Sequence, residues 1–139
     1  MNGDDVTGSD DRITRLDTDD CYERLRSRTL GRIAVKLADD IVILPVYYAV
    51  MNDDIVFRTA PGTKLSAALM KTKVAFEVDD NESPAWSVLV RGHAEEVRER
   101  SRQQDVEDVL GDQWPAGERN QLVRIRAEQV TGRRLKLRK

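Results

Sequence analysis

This chain has one cysteine, one histidine and almost no net charge, and each shortage removes a class of explanation. A lone Cys21 forms no intrachain disulfide, which suits a reducing compartment. One Cys and one His exclude a zinc site built from Cys/His clusters. His93 is the only imidazole available to a catalytic triad, and no G-x-S-x-G accompanies it. It follows Gly92 in a strand pattern and reads as a partly exposed strand residue. A net charge of -2 gives no global pull toward nucleic acid or a membrane surface. No apolar run reaches the roughly 18 residues of a membrane span. The start, MNGDDVTGSDD, is acidic and lacks a signal-peptide core, so the expected location is the cytoplasm.

What is present is an ordinary domain: 139 residues, 40% hydrophobic and 35% charged, long enough for a real core. Residues 1–12 are expected to be a disordered acidic tail and residues 13–139 a single domain. Charge is uneven along the chain. Asp4, Asp5, Asp10 and Asp11 crowd the start, and Arg133, Arg134, Lys136, Arg138 and Lys139 the end.

Periodicity predicts mostly strands. Asp17-Thr18 can cap a helix to about Arg28, with Leu30-Gly31 ending it. Ile33, Val35 and Leu37 alternate with Arg32 and Lys36, as in a strand with one wet face. Ile41 to Met51 is almost unbroken apolar sequence, as in a strand covered on both faces. Pro45 inside it implies an edge, bulge or interrupted ladder. Asn52-Asp53-Asp54 turns into the strand Ile55–Thr59. A short helix over Thr63–Met70 follows, then a strand around Val74–Val78 and a loop over Asp80–Pro84. Trp86 to Val97 is a long strand with Gly92 at a bend or close approach. Ser101 and Gln104 fit a capping box for a helix to about Leu110. Gly111–Gly117 reads as a loop and Leu122–Val130 as the last strand. Six strands joined mostly by tight turns imply antiparallel neighbours, and closing them removes the sheet edges. The expected fold is a small β-barrel with about three peripheral short helices.

The segment Ile55–Leu69 carries the most chemistry. Phe57-Arg58-Thr59 leads into Ala60-Pro61-Gly62, and Thr63-Lys64-Leu65 opens the helix. Strand, turn and helix start, with Arg58, Lys64 and two Thr hydroxyls nearby, could hold a phosphate. The same text is equally a capped helix after a strand. It lacks the first glycine of a P-loop, and Leu65 stands where Ser or Thr would bind magnesium, so triphosphate hydrolysis is not expected. Asp79, Asp80 and Glu82 match no EF-hand spacing and read as a solvated loop, so no metal is expected. The basic C-terminal residues have no interleaved aromatics, so they read as a solvated face and nucleic acid is not expected as a partner. By themselves Tyr47 and Trp86 read as core or interface residues.

Taken in order, five segments resemble the flavin-binding split-barrel proteins related to pyridoxamine 5'-phosphate oxidase. The likeness is strongest to the small bacterial branch that includes nitroimidazole-resistance proteins. The segments are Leu30-Gly31-Arg32-Ile33-Ala34-Val35, Leu44-Pro45-Val46-Tyr47-Tyr48, Phe57-Arg58-Thr59 with Gly62-Thr63-Lys64-Leu65, Val74 to Asp79, and Trp86 to Ala94. They span about residues 16–100, and their order rather than any one of them is specific.

The resemblance implies a homodimer of six-stranded antiparallel split barrels with FMN at the interface. It implies that Arg58, Thr63 and Lys64 hold the phosphate. Pro45, Val46, Tyr47 and the Phe57–Thr59 strand would lie along the ring and ribityl chain, and Trp86 and Ser87 would reach the partner's flavin. It implies a flavin-dependent oxidoreductase of a small substrate, with a deazaflavin reductase or a non-catalytic flavin- or haem-binding module as alternatives. Tyr47 stands where many relatives carry Asn. The C-terminus, Leu135-Lys136-Leu137-Arg138-Lys139, has nothing like the substrate-binding region of the true oxidase. Pyridoxamine phosphate oxidation is therefore not implied.

Overall fold

The computed structural model describes residues 13–60, 62–70, 72–82, 84–111 and 121–136. The acidic tail, most of the Gly111–Gly117 loop, Pro61 of the turn before Thr63 and residues 137–139 lie outside them. Among the described residues no helix is long and apolar enough to cross a membrane. The strands are β1 (Ile13–Leu16), β2 (Leu30–Leu37), β3 (Asp40–Met51), β4 (Asp54–Thr59), β5 (Lys73–Asp80), β6 (Ala85–Glu96) and β7 (Gln121–Leu135). The helices are α1 (Thr18–Arg26), α2 (Lys64–Leu69) and α3 (Arg100–Leu110).

Six of the seven strands form a ring. All pairings are antiparallel, in the order β7-β4-β3-β2-β5-β6, and β6 returns to β7. The expected six-stranded barrel is this ring. The seventh strand, β1, pairs with the end of β7 outside it, through Ile13↔Leu135 to Leu16↔Gly132. Its four residues are too few to show a period, which is why the pattern missed it. The same pairing draws β7 out to Leu135, five residues past its expected end.

Alternation sends one side of every strand inward. Ile33, Val35, Tyr48, Phe57, Phe76, Val88 and Val123 meet inside the ring, with Tyr48 and Phe76 packed edge to face at 4.9 Å. Cys21 and Leu25 of α1 and Leu69 of α2 are buried in the same core. Burial pushes the Cys21 thiol and the Tyr48 phenol upward in pKa, so both stay protonated at neutral pH. The Tyr48 hydroxyl donates to the Leu25 carbonyl at 2.6 Å and ties α1 to β3. A second cluster lies outside the ring, where Val106 and Leu110 of α3 cover Val56, Leu122 and the half-buried Ala49 and Met51.

Three local expectations need correction. Leu30-Gly31 does not end α1, which stops at Arg26; it begins β2. Gly31 is there because a Cβ would lie 2.4 Å from the Phe76 ring. Ser101 does not cap α3. Glu99 holds the cap position without a side-chain bond, and Gln104 donates to Asp108 at 2.9 Å. The Ile41–Met51 strand is not covered on both faces within one chain. α3 covers only Ala49 and Met51, so Ile41 (72%), Ile43 (65%) and Tyr47 (50%) remain exposed beside Leu30.

The expected close approach at Gly92 is present. The β6–β7 register shifts between Arg91 and Gly92, and a Cβ on Gly92 would lie 1.9 Å from the Arg126 carbonyl oxygen. At this bulge Asp54 accepts the Ala127 N–H at 3.0 Å and pairs with Arg124 at 2.7 Å. Gly92→Ala should therefore cost about 1–3 kcal/mol, the scale of overpacking against backbone. Urea denaturation measures it, and an unchanged midpoint would contradict the geometry.

On the outer face, Glu77 of β5 lies opposite Arg32 of β2 and Leu89 of β6. Its carboxyl is pushed up to about 7, first by burial and then by Asp79, against the pull of Arg32. A raised carboxyl means the folded chain holds a proton that the unfolded chain, titrating near about 4.3, has already lost. This contribution to stability is complete below about pH 4.3 and is lost as pH rises to about 7. Glu77→Gln should consequently stabilise more, relative to the parent, at about pH 7.5 than at about pH 5. Equal shifts in the urea midpoint at both values would refute the raised pKa.

Candidate functional site

The ring is incomplete at one seam. The β3–β4 ladder runs from Met51↔Asp54 to Tyr48↔Phe57 and stops. Beyond it Arg58 and Thr59 pair only with β7, at Leu122 and Gln121, while Pro45, Val46 and Tyr47 pair only with β2. The two strands share no ladder beyond that pair, and the seam between them is the candidate slot. Backbone alternation determines what faces it. The Tyr48 N–H donates to Thr29 on the β2 side at 2.9 Å, so Tyr47 and Pro45 aim their backbone groups at the β4 side. Tyr47 thus turns its backbone toward β4 at the ladder's end, and its N–H lies one residue past the last Cα pair. Pro45 has no N–H to leave unsatisfied. The interrupted ladder expected from Pro45 is this seam.

The turn that leads into α2 follows directly from the slot's β4 wall. Thr63 caps α2, its hydroxyl accepting the Ser66 N–H at 3.0 Å and donating to the Ala60 carbonyl at 3.1 Å. Gly62 has φ +77°, the left-handed region, with open space where a Cβ would stand. Lys64 is exposed and has no ion-pair partner among the described residues, and Leu65 packs toward the core. An exposed cation beside a turn with an open face can meet an anionic group.

Arg58 is placed differently. Its guanidinium is 7% exposed and donates from Nη2 to Glu107 at 2.7 Å and to the Gly111 carbonyl at 3.1 Å. These bonds fasten β4 to the end of α3. Phe57 points into the core, and Thr59 is buried beside Gln121. Gln121 in turn bonds the Ser66 hydroxyl of α2.

Trp86 and Ser87 are not brought to this slot within one chain. They lie near the start of β6, three strands from Tyr47 in sheet order, or about 14 Å at the usual strand spacing. Arg24 and Arg28 lie 5.8 and 5.4 Å from the Trp86 ring centroid. Arg28 bonds Asp80 and holds its carboxyl below the usual range. His93 is a strand residue at the surface, 2.7 Å from Glu128, remote from the turn.

Sequence reasoning did not find Glu107, Gln121 or Ser66. None belongs to a recognisable motif, because each acts through a partner 49 or 55 residues away. A cue existed in the case of Glu107. Arg58 follows the apolar run Ile55-Val56-Phe57, and a cation at such a buried position needs an anion on whatever element covers it.

Residues 17–134 match the pyridoxamine 5'-phosphate oxidase family. Among solved structures, an FAD-binding protein from Mycobacterium smegmatis is similar, with 36% identity, a TM-score of 0.82 and coverage of 90% of this chain and 100% of that one. A candidate pyridoxamine 5'-phosphate oxidase from Corynebacterium glutamicum gives 34%, 0.83, and 95% and 99%. An FAD-binding protein from Mesorhizobium loti gives 26%, 0.73, and 90% and 98%. With its six-stranded ring opened at β3–β4, this chain belongs to the pyridoxamine 5'-phosphate oxidase-like family of split-barrel proteins.

Proposed function

We propose that this protein binds a flavin nucleotide in the β3–β4 slot and acts as a flavin-dependent oxidoreductase on a small substrate. The observation that carries the reading is the end of the β3–β4 ladder at Tyr47, followed on the β4 side by the Thr63-Lys64 turn. A flavin has two complementary ends. Its ring edge presents an N–H flanked by two carbonyls, which suits the backbone N–H and carbonyl of Tyr47. Its phosphate suits Lys64, with the open turn at Gly62 admitting it. FMN is the smallest flavin with both ends. The flavin-binding relatives at 36% and 26% identity support the same cofactor class.

Bound flavin supplies the hydride or electron transfer, and the protein supplies binding, orientation and electrostatics. On this reading Pro45, Val46 and Tyr47 fix the ring plane, and the Tyr47 phenol stands beside it. Phe57 and Thr59 form the opposite wall. Thr63 shapes the phosphate turn and Lys64 neutralises the charge. Arg58 holds that wall against α3.

The functional unit on this reading is a homodimer. Ile41, Ile43, Pro45 and Tyr47 form an exposed stripe on the outer face of β3, flanked by Leu30. A second copy would cover it and could bring its own Trp86 and Ser87 to the slot, which this chain's do not reach. Ile43→Glu should therefore give a monomer by sedimentation at micromolar concentration. A wild-type monomer under the same conditions would remove the dimer.

Titration of the purified protein with FMN, followed by quenching of flavin fluorescence, tests the main reading. Lys64→Ala should weaken FMN binding by about 1–3 kcal/mol, the scale of a charge-assisted hydrogen bond, and leave riboflavin unaffected because it has no phosphate. Equal losses for both ligands would sink the phosphate role. A parallel titration with a deazaflavin separates the two cofactor classes.

A further inference from the structure

The exposed stripe on β3 is too small to hold a second copy by itself. Ile41, Ile43, Pro45 and Tyr47 are side chains of one strand, and a stable interface takes about 800 Å² from each partner. The patch can grow in one direction only. On the β4 side, α3 already covers Val56, Ala49 and Met51, and Arg58 is tied to Glu107 there. On the β2 side, the outward residues of β2, β5 and β6 are exposed or half-buried. α1 and α2 send Cys21, Leu25 and Leu69 into the barrel core instead.

Strand register places that extension. Pro45 lies opposite Arg32, Arg32 opposite Glu77 and Glu77 opposite Leu89, in one row across four strands. The rows on either side are mostly apolar near β3. One runs Ile43, Ala34, Ala75, and the other pairs Tyr47 with Leu30. A copy that covers the stripe and reaches a stable area therefore also covers Arg32, Glu77 and Asp79.

These three groups do not balance. Arg32 Nη1 lies 3.4 Å from Glu77 and 3.5 Å from Asp79, so two carboxylates share one cation. The other neighbours do not make up the difference. Across the ladder Glu77 faces Leu89, with Ser87 and Arg91 on the diagonals, and Arg91 is turned to Gln129 at 3.3 Å. Along β5, Lys73 stands at the far end of the strand. With both carboxylates ionised the cluster carries one net negative charge. Water makes that charge tolerable, and a second copy would remove the water. One proton shared by Glu77 and Asp79 makes the cluster neutral: the Glu77 carboxyl donates to Asp79, and Arg32 balances Asp79. The single chain already leans this way. Burial first and then Asp79 push the Glu77 carboxyl up to about 7.

We propose that a second copy closes over this face with Glu77 protonated and hydrogen-bonded to Asp79, so that pairing takes up a proton on each chain and weakens as pH rises. The inference rests on the homodimer reading and adds its control. In an isologous pair the same cluster is buried on both chains, so the two protons act together. Covering Glu77 raises its carboxyl further above the single-chain value. Where the single chain is already protonated, pairing gains nothing from more acid. As pH climbs through about 7 and beyond, each chain must first regain a proton, and the dissociation constant rises.

Sedimentation of the full-length protein at about pH 6 and about pH 8.5 tests this. Wild type should pair at least about tenfold more tightly at the lower value. Glu77→Gln keeps an amide donor toward Asp79 and has no proton to lose, so it should hold the low-pH affinity at both values. Asp79→Asn leaves Glu77 and Arg32 as a balanced pair and should also level the two. Equal wild-type affinities, or a dependence that survives either substitution, would overturn the proton switch while the dimer stands. Wild type that stays monomeric at both values would overturn the dimer and the switch together.

Discussion

The rest of the structure depends on β4's change of partner at Phe57. Up to that residue β4 is bonded on both sides; after it, only β7 holds it. Buried backbone groups must find partners, so an opened ladder is costly unless something offsets the loss. Here three features do. β2 keeps its pairing with Pro45–Tyr47, β7 keeps Arg58 and Thr59, and Pro45 removes a donor that would otherwise point into the gap. The seam is tolerated because closure has been moved elsewhere. β7 is long enough to pair with β4 at its start, with β6 along most of its length and with β1 at its end.

The buried guanidinium lies on the other side of the same strand. Phe57 points into the core, so alternation turns Arg58 outward, under α3. A cation with 7% exposure needs a compensating charge, and Glu107 provides it at 2.7 Å. The Gly111 carbonyl, at the end of α3, accepts from the same nitrogen. A positive group at a helix C-terminus is favourable in its own right. The pair therefore does two things at once: it secures the wall of the slot, and it sets where α3 lies on the barrel. The uncovered length of β3 follows from that placement. α3 reaches Ala49 and Met51 and leaves Ile41, Ile43 and Tyr47 bare.

Much of the ring was legible in the sequence because its strands alternate cleanly. Val74–Val78 and Trp86–Val97 show period two, and Asn52-Asp53 takes positive φ at both positions, as a tight hairpin turn requires. Pro45 marked the seam correctly. Three features were hidden for physical reasons. Gly31 looks like a helix stop, but its missing Cβ serves the Phe76 ring, a contact 45 residues distant. Ser101 looks like a cap, but Gln103 docking onto Val97 accompanies a helix that begins earlier, at Arg100. The Ile41–Met51 run looks buried because composition records apolarity and not what covers it. The turn at Thr63-Lys64 could be read as an anion site or a plain cap. The structure shows the cap, and an exposed Lys64 beside it.

The seam and the bare stripe share β3, and this links the two halves of the proposed function. Tyr47 contributes its backbone to the slot and its side chain to the exposed face. A second copy seated on that face would bury the stripe and restrict the slot's open side. Covering apolar surface drives association, and a flavin held between the copies would add contacts that neither chain makes alone. Whatever binds the paired state better than the separate chains must also strengthen the pairing, by the reciprocity of coupled equilibria. A proline that opens a ladder would then have a further consequence. Standing where the β3–β4 ladder ends, it would leave one stretch of β3, Pro45 to Tyr47, facing both the cofactor and the neighbouring copy.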